Sequence, residues 1–156
     1  MTKIIPVLFI SILETSSFFV PASAVGQRPA LEDKDILKMA SAARDALARQ
    51  HIEGCIVIAD PDGMPLYVQR QANATPNCLA SALAKAKSAA FFKTDTNTAY
   101  QSLLKGEVHN LAVPDLSSNP GGLPLYVGKT IVGSIAISTP DGEKDIAVAH
   151  AAASAL

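Results

Sequence analysis

The sequence predicts an α+β fold, in which helices pack on an antiparallel sheet of about five strands. Two apolar, β-rich hairpins predict the strands, one turning at Asp60-Pro61-Asp62-Gly63 and the other at Gly128-Lys129. Segments with helical periodicity flank and separate these hairpins, which gives the order α-β-β-α-α-β-β-α. Hairpins pair consecutive strands antiparallel, whereas a parallel sheet would need a crossover between them.

The first 24 residues have the pattern of a secretory signal peptide. Lys3 supplies a positive start, residues 4–13 an apolar stretch, and Ala22-Ser23-Ala24 a small-residue cleavage site. An uncleaved membrane anchor is the alternative, but the apolar run of about ten residues is half of what a spanning helix needs. We therefore expect cleavage after this site, a periplasmic or secreted location, and no stable membrane insertion afterwards.

The remaining chain is expected to form a short leader, residues 25–30, and a single domain, residues 31–156. The whole sequence carries 13 Lys and Arg against 14 Asp and Glu, a net charge of −1. A nucleic-acid-binding domain would need a basic surface, so no nucleic-acid partner is expected. The chain has no Trp and many Ala, which predicts a core built from small side chains where helices approach the sheet closely.

Four segments are predicted to be helical: residues 31–50, residues 77–92, residues 96–105, and a last helix that starts near Pro140. The first has a regular apolar face of Ile36, Ala40, Ala43 and Leu47. In the second, Lys85 lies outside the apolar stripe that we assign to Leu79, Leu83, Ala86 and Ala90. For the last helix, Thr139 is the expected N-cap and Pro140 the first helical residue.

The strands come from two contrasting patterns. Residues 55–59 form a continuous apolar run, as expected for a central strand that is covered on both faces. Residues 64–71 alternate and are expected to pair back on it. The second hairpin begins at Gly121-Gly122 and ends at Ser138. Residues 107–119 form a polar connection before it, long enough to suggest a functional role.

Two cysteines, Cys55 and Cys78, leave two interpretations open. In an oxidising compartment they could form a disulfide. Each could equally be a small buried apolar residue, since Cys55 lies in a strand-like run and Cys78 at the start of a helix. Their spacing is not that of a CxxC metal or redox site.

Together these segments resemble a known family, the GlcG/HbpS family of haem-binding or "haem-degrading" domains, which also form the C-terminal part of PduO-type proteins. The similarity covers essentially the whole predicted domain. It is carried by residues 56–63, by the Lys-Ala helix of residues 80–91, by the Gly-Gly-Leu-Pro hairpin of residues 121–138, and by the acidic start of the last helix at residues 141–147.

The resemblance implies a profilin-like or PAS-like sheet, assembly into homo-oligomers, and haem as the cofactor. Haem storage, sensing or slow oxidative turnover would then be the role, which leaves open whether the protein is an enzyme. A second hypothesis is a non-haem, small-molecule-binding accessory protein of a periplasmic alcohol or glycolate oxidation pathway. A third is a purely structural oligomer. Fold kinship alone does not decide among them.

Haem requires an axial donor beside an apolar slot. Of the three histidines, His51 is expected to cap the first helix and His150 to pack partly on the last. His109 lies in the long connection, where binding residues tend to collect, so it is the first choice. Thr96 is the second candidate, because it belongs to a segment that the family uses near its ligand pocket, although helix capping also explains it.

Other chemistry is less well supported by the sequence. Tyr100, Tyr126, Met39 and Met64 are conceivable donors, although core packing explains the methionines. Glu107 and His109 could begin a metal site, but no third ligand can be named. Asp60 and Asp62 are expected as turn residues. We find no Gly-x-Ser-x-Gly elbow and no Gly-rich phosphate loop, which argues against hydrolases and nucleotide binders.

Overall fold

A four-stranded antiparallel sheet with helices on both faces organises residues 29–156, which the computed structural model describes. Across the sheet the strands lie in the order β2-β1-β4-β3. This confirms the α+β class. Along the chain the elements are α1 (Asp33–Arg49), β1 (Cys55–Ala59), β2 (Pro65–Arg70), α2 (Cys78–Phe92), α3 (Thr96–Leu104), a 3₁₀ segment (Val108–Ala112), β3 (Gly122–Val127), β4 (Thr130–Ser138) and α4 (Gly142–Ala153).

The expectation of about five strands is wrong for the described residues, where the two hairpins supply four. The connection of residues 107–119 forms the 3₁₀ segment and turns, and it adds no strand. Pro114 interrupts it and lacks the N–H that a strand ladder needs. Along the chain, the order of elements differs from the predicted order by this added 3₁₀ segment.

The apolar run of residues 55–59 is the central strand β1, as predicted, and all five of its residues are buried. Val57 pairs with Val68 of β2 on one side and with Ala136 of β4 on the other. The turn after β1 also forms as expected. Asp60 Oδ1 accepts hydrogen bonds from the backbone N–H of Asp62 and of Met64, at 2.9 and 2.8 Å.

The two faces of the sheet pack against different helices. Helices α1 and α4 cover one face, where the isoleucines of β1 and β4 meet Met39, Leu47 and Val148. Helix α2 covers the other face, where Ala82 and Ala86 pack against the small residues of the same strands. The alanines allow the close approach that the composition predicted.

The predicted bounds of α1, α2 and α3 and the predicted start of α4 hold to within two residues, but the predicted N-cap of α4 is wrong. This helix begins at Gly142, and Asp141 is its N-cap instead of Thr139. The Asp141 carboxylate accepts from the backbone N–H groups of Glu143 and Lys144. A carboxylate reaches these N–H groups and also favours the positive end of the helix.

Cys55 and Cys78 form a disulfide, with Cα atoms 5.5 Å apart. The bond ties the start of β1 to the start of α2 across one face of the sheet. Of the two interpretations that the sequence left open, a disulfide or two separate buried cysteines, the structure shows the disulfide.

The predicted signal peptide, residues 1–24, and residues 25–28 of the leader lie outside the described residues. Over residues 29–156, no helix combines the length and the apolar character that crossing a membrane requires.

Candidate functional site

The most unusual feature of the core is a buried ion pair between α2 and α4. Lys85 Nζ lies 2.7 Å from Asp145 Oδ2, and each side chain is 2% exposed. The same ammonium donates to the carbonyl oxygen of Ile137 in β4 at 3.0 Å. The other carboxylate oxygen, Asp145 Oδ1, accepts from the backbone N–H of Thr139 at 2.7 Å. The pair therefore joins α2, α4 and the end of β4.

Lys85 was expected outside the apolar stripe of α2, and that expectation is wrong. The buried face of α2 is turned toward Ala82, Lys85, Ala86 and Ala89. Lys85 lies three residues after Ala82 and four before Ala89, so it shares their face. On α4, Asp145 lies three residues before Val148 and four before Ala149, so it also shares the buried face of its helix. Opposite charges at core positions of two helices are the signal that would have revealed the pair.

The double glycine at the start of β3 passes close to both residues of this pair. A Cβ on Gly121, whose φ is +100°, would lie 2.5 Å from Asp145 Cβ. A Cβ on Gly122 would lie 2.7 Å from the carbonyl oxygen of Lys85. Only glycine lets the chain pass this close to both helices.

Burial sets the electrostatics of the pair. It lowers the pKa of Lys85 and raises the pKa of Asp145, because each charged form loses its hydration. The ion pair opposes both shifts, and the hydrogen bond from Thr139 further stabilises the carboxylate. A buried pair of this kind depends on its hydrogen bonds to remain ionised.

A cavity of about 370 Å³ opens beside the pair. We call it the polar cavity; its lining includes Asn77, Ser81, Lys85, Asn119, Ser138 and Asp145. It lies between the start of α2 and the start of α4, which Gly142 marks. Hydroxyl and amide groups dominate the lining, so the cavity suits a small polar ligand.

The two residues predicted from the sequence to bind haem lie near opposite ends of α3. Thr96 is the first residue of α3 and is buried, and its Oγ1 accepts from the backbone N–H of Gly122 at 3.0 Å. His109 is exposed on the 3₁₀ segment, beyond the other end of the helix. The connection that carries His109 is held on α2, because Ser117 N donates to Ser88 Oγ at 2.9 Å and Lys87 pairs with Asp115 at 2.8 Å.

The other two histidines and Met39 lie on different parts of the fold. His51 is exposed just after the end of α1, and His150 is exposed on α4. Met39 belongs to the core under α1. Within residues 29–156, no three His, Cys, Asp or Glu side chains are placed to hold a metal ion.

A family model described as "Haem degrading protein HbpS-like" matches residues 31–154. The chain belongs to the HbpS-like family. The resemblance found in the motifs is thereby confirmed. No curated protein matches this HbpS-like sequence.

Solved structures share the fold. Streptomyces reticuli HbpS, as a double mutant, is 22% identical with a TM-score of 0.77, over 97% of this chain and 99% of that one. PduOC in complex with haem is 22% identical with a TM-score of 0.74, over 81% and 95%. Klebsiella pneumoniae protein ORFY is 21% identical with a TM-score of 0.76, over 86% and 95%. At these identities the similarity establishes the fold.

Proposed function

We propose that this chain is an exported haem-binding protein, that it works as a homo-oligomer, and that it holds haem at the segment around His109. The model of its family is described as that of a haem-degrading protein, and one structural neighbour was solved with haem. The observation in this chain that carries the proposal is an exposed imidazole in a stretch of chain that also exposes large apolar side chains.

The surface around His109 fits haem. Leu104 is 63% exposed, Val108 65% and Leu111 68%, and all three lie within five residues of His109. A haem macrocycle is broad, flat and largely apolar, and its iron accepts an imidazole nitrogen as axial ligand. An apolar surface with one imidazole therefore offers both of the interactions that the cofactor needs.

The polar cavity does not fit haem. Its lining carries mostly hydroxyl, amide and charged groups and includes no histidine. If haem lay in the cavity, its apolar faces would leave the hydroxyl and amide groups of the lining without hydrogen-bond partners. We therefore assign haem to the surface around His109 and not to the cavity.

The residues have distinct parts in this proposal. His109 would supply the axial nitrogen, while the neighbouring apolar side chains would cover the macrocycle and exclude water. Thr96 would act through its hydrogen bond to Gly122, which fixes the start of β3. When bound, haem supplies the redox chemistry of its iron, for storage, sensing or slow oxidative turnover.

A second copy of the chain would complete the haem slot, because the surface around His109 is open to solvent on one chain. Large exposed apolar side chains gathered in one segment are typical of surfaces that are covered in use. A homo-oligomer would therefore bury the second face of the haem.

Export is supported by the disulfide. Disulfides persist in the periplasm and outside the cell and are rare in the cytosol, and Cys55 is bonded to Cys78 here. Together with the signal-like pattern of residues 1–24, this favours a periplasmic or secreted protein.

Hemin titration of matched histidine variants tests the assignment of His109. We expect His109→Ala to weaken hemin binding or to change the Soret spectrum. His150→Ala, which removes another exposed imidazole, should behave as wild type. Identical spectra and affinities for His109→Ala and wild type would exclude His109 as the ligand. Weak, unsaturable binding by the wild type would instead favour the accessory protein that binds a small non-haem molecule.

A further inference from the structure

The polar cavity contains hydrogen-bonding capacity that the protein itself does not use. Ser138 is 4% exposed and lines the cavity, which places a hydroxyl group on its wall. The ammonium of Lys85 uses two of its three hydrogens, on Asp145 and on Ile137. A ligand in the cavity could therefore bond to the third hydrogen of the Lys85 ammonium and to the Ser138 hydroxyl.

The start of α2 adds unpaired donors at the same place. Its N-cap, Asn77, makes no side-chain capping bond. Among the described residues, the backbone N–H groups of Leu79 and Ala80 also have no acceptor, whereas that of Ser81 bonds to the carbonyl of Asn77. Asn77 and Ser81 both line the cavity. Unpaired N–H groups and the positive end of the helix dipole favour a negatively charged group.

The charges around the cavity indicate how much negative charge it accepts. Lys85 and Asp145 neutralise each other, and the other side chains that line the cavity are uncharged. The nearby carboxylate of Asp141 is already engaged as the cap of α4. The positive end of the α2 dipole is therefore not neutralised by the side chains that line the cavity. It suits one negative charge better than the two of a phosphate dianion.

We propose that the polar cavity binds a small hydroxycarboxylate, with its carboxylate at the open start of α2 and its hydroxyl group at Ser138 and Lys85. The cavity volume of about 370 Å³ lies near the lower end of the range for ligand pockets. The ligand is therefore a molecule of a few carbon atoms. This site shares no residue with the surface around His109, so the proposal is independent of haem binding.

Calorimetric titration of the full-length protein with lactate tests the proposal, with propionate and inorganic phosphate as comparison ligands. We expect saturable lactate binding that is tighter than binding of either comparison ligand. Ser138→Ala should weaken lactate binding about two- to tenfold, the equivalent of one hydrogen bond, and should leave propionate binding unchanged.

A pair of size-matched variants locates the site. Ser81→Leu places a bulky side chain in the cavity and should weaken lactate binding at least about tenfold. Ala147→Leu makes a similar change at an exposed position of α4, which is not part of the lining, and should bind lactate as wild type does. Circular dichroism establishes that each variant is folded. Absence of saturable lactate binding, equal binding by Ser81→Leu, or tighter binding of phosphate would each overturn the proposal.

Discussion

Replacing Lys85 with methionine tests whether the buried ion pair holds α2, β4 and α4 together. Methionine keeps an unbranched apolar stem but removes the ammonium group. Asp145 then loses its ion pair at 2.7 Å, and the carbonyl of Ile137 loses its donor at 3.0 Å. The carboxylate keeps the bond from Thr139 N, which does not neutralise its charge.

The loss in stability should be large. Removing one partner of a buried ion pair costs about 3–5 kcal/mol, because the other charge stays buried without compensation. Globular domains have free energies of unfolding of about 5–15 kcal/mol, so this is a substantial fraction. With an unfolding entropy of about 2.1 cal/mol/K per residue, a domain of about 130 residues would lose about 10–20 °C in Tm.

The loss should also depend on pH with a definite sign. Without Lys85, the pKa of the buried Asp145 carboxyl in the folded protein rises further above its ordinary value of 3.8. The folded state of Lys85→Met then binds a proton that the unfolded state has released. Its stability deficit therefore shrinks toward pH 4 and grows as the pH rises through the raised pKa of Asp145.

Urea unfolding followed by circular dichroism measures these effects. Lys87→Met is the matched control, since Lys87 forms a half-exposed ion pair with Asp115 and should cost about 1 kcal/mol or less. The double variant Lys85→Met, Asp145→Leu removes both charges and should recover much of the loss. A Lys85→Met protein within about 1 kcal/mol of wild type at pH 7 would refute the reasoning.

Three further predictions concern stability. Replacing Cys55 and Cys78 together with alanine should lower the free energy of unfolding by about 2–4 kcal/mol, and reductant should affect the wild type but not the variant; equal urea midpoints would contradict this. Gly121 has a positive φ, and a Cβ there would lie 2.5 Å from Asp145 Cβ. Gly121→Ala should therefore lower the stability more than Gly106→Ala, because Gly106 has a positive φ but open space around it. Equal melting temperatures of the two variants would argue against the close approach. Asp141→Ala should cost about 1 kcal/mol through loss of the α4 cap, as thermal unfolding will measure, and an unchanged Tm would exclude that role.

The parts of the fold that follow local rules could be predicted from the sequence. The turn at Asp60–Gly63 and the hairpin turn at Gly128-Lys129 depend on the conformations open to a few neighbouring residues. The buried face of α1 follows from a clear contrast between apolar and charged positions. These features formed where the sequence placed them.

The buried face of α2 could not be predicted in the same way. Alanines lie on several sides of this helix, so periodicity does not distinguish a single apolar stripe. Its orientation is set by contact with the sheet and by the pairing of Lys85 with Asp145, 60 residues away in sequence. Long-range pairing of this kind has no local signature. The polar cavity depends on it and was missed for the same reason.

The segment to which we assign haem is the one that the sequence singled out, and its role stays a prediction. The length of the connection singled out His109, and the structure adds that large apolar side chains within five residues of it are exposed. Sequence alone could not show that Thr96 turns its hydroxyl inward to Gly122, since that contact forms across 26 residues.

Absorbance titration of the purified wild-type protein with hemin is the most direct test of the haem proposal. We predict a saturable, stoichiometric shift of the Soret band that disappears when the protein is unfolded in urea. A weak, unsaturable change, or one that survives unfolding, would contradict a folded haem site in this protein.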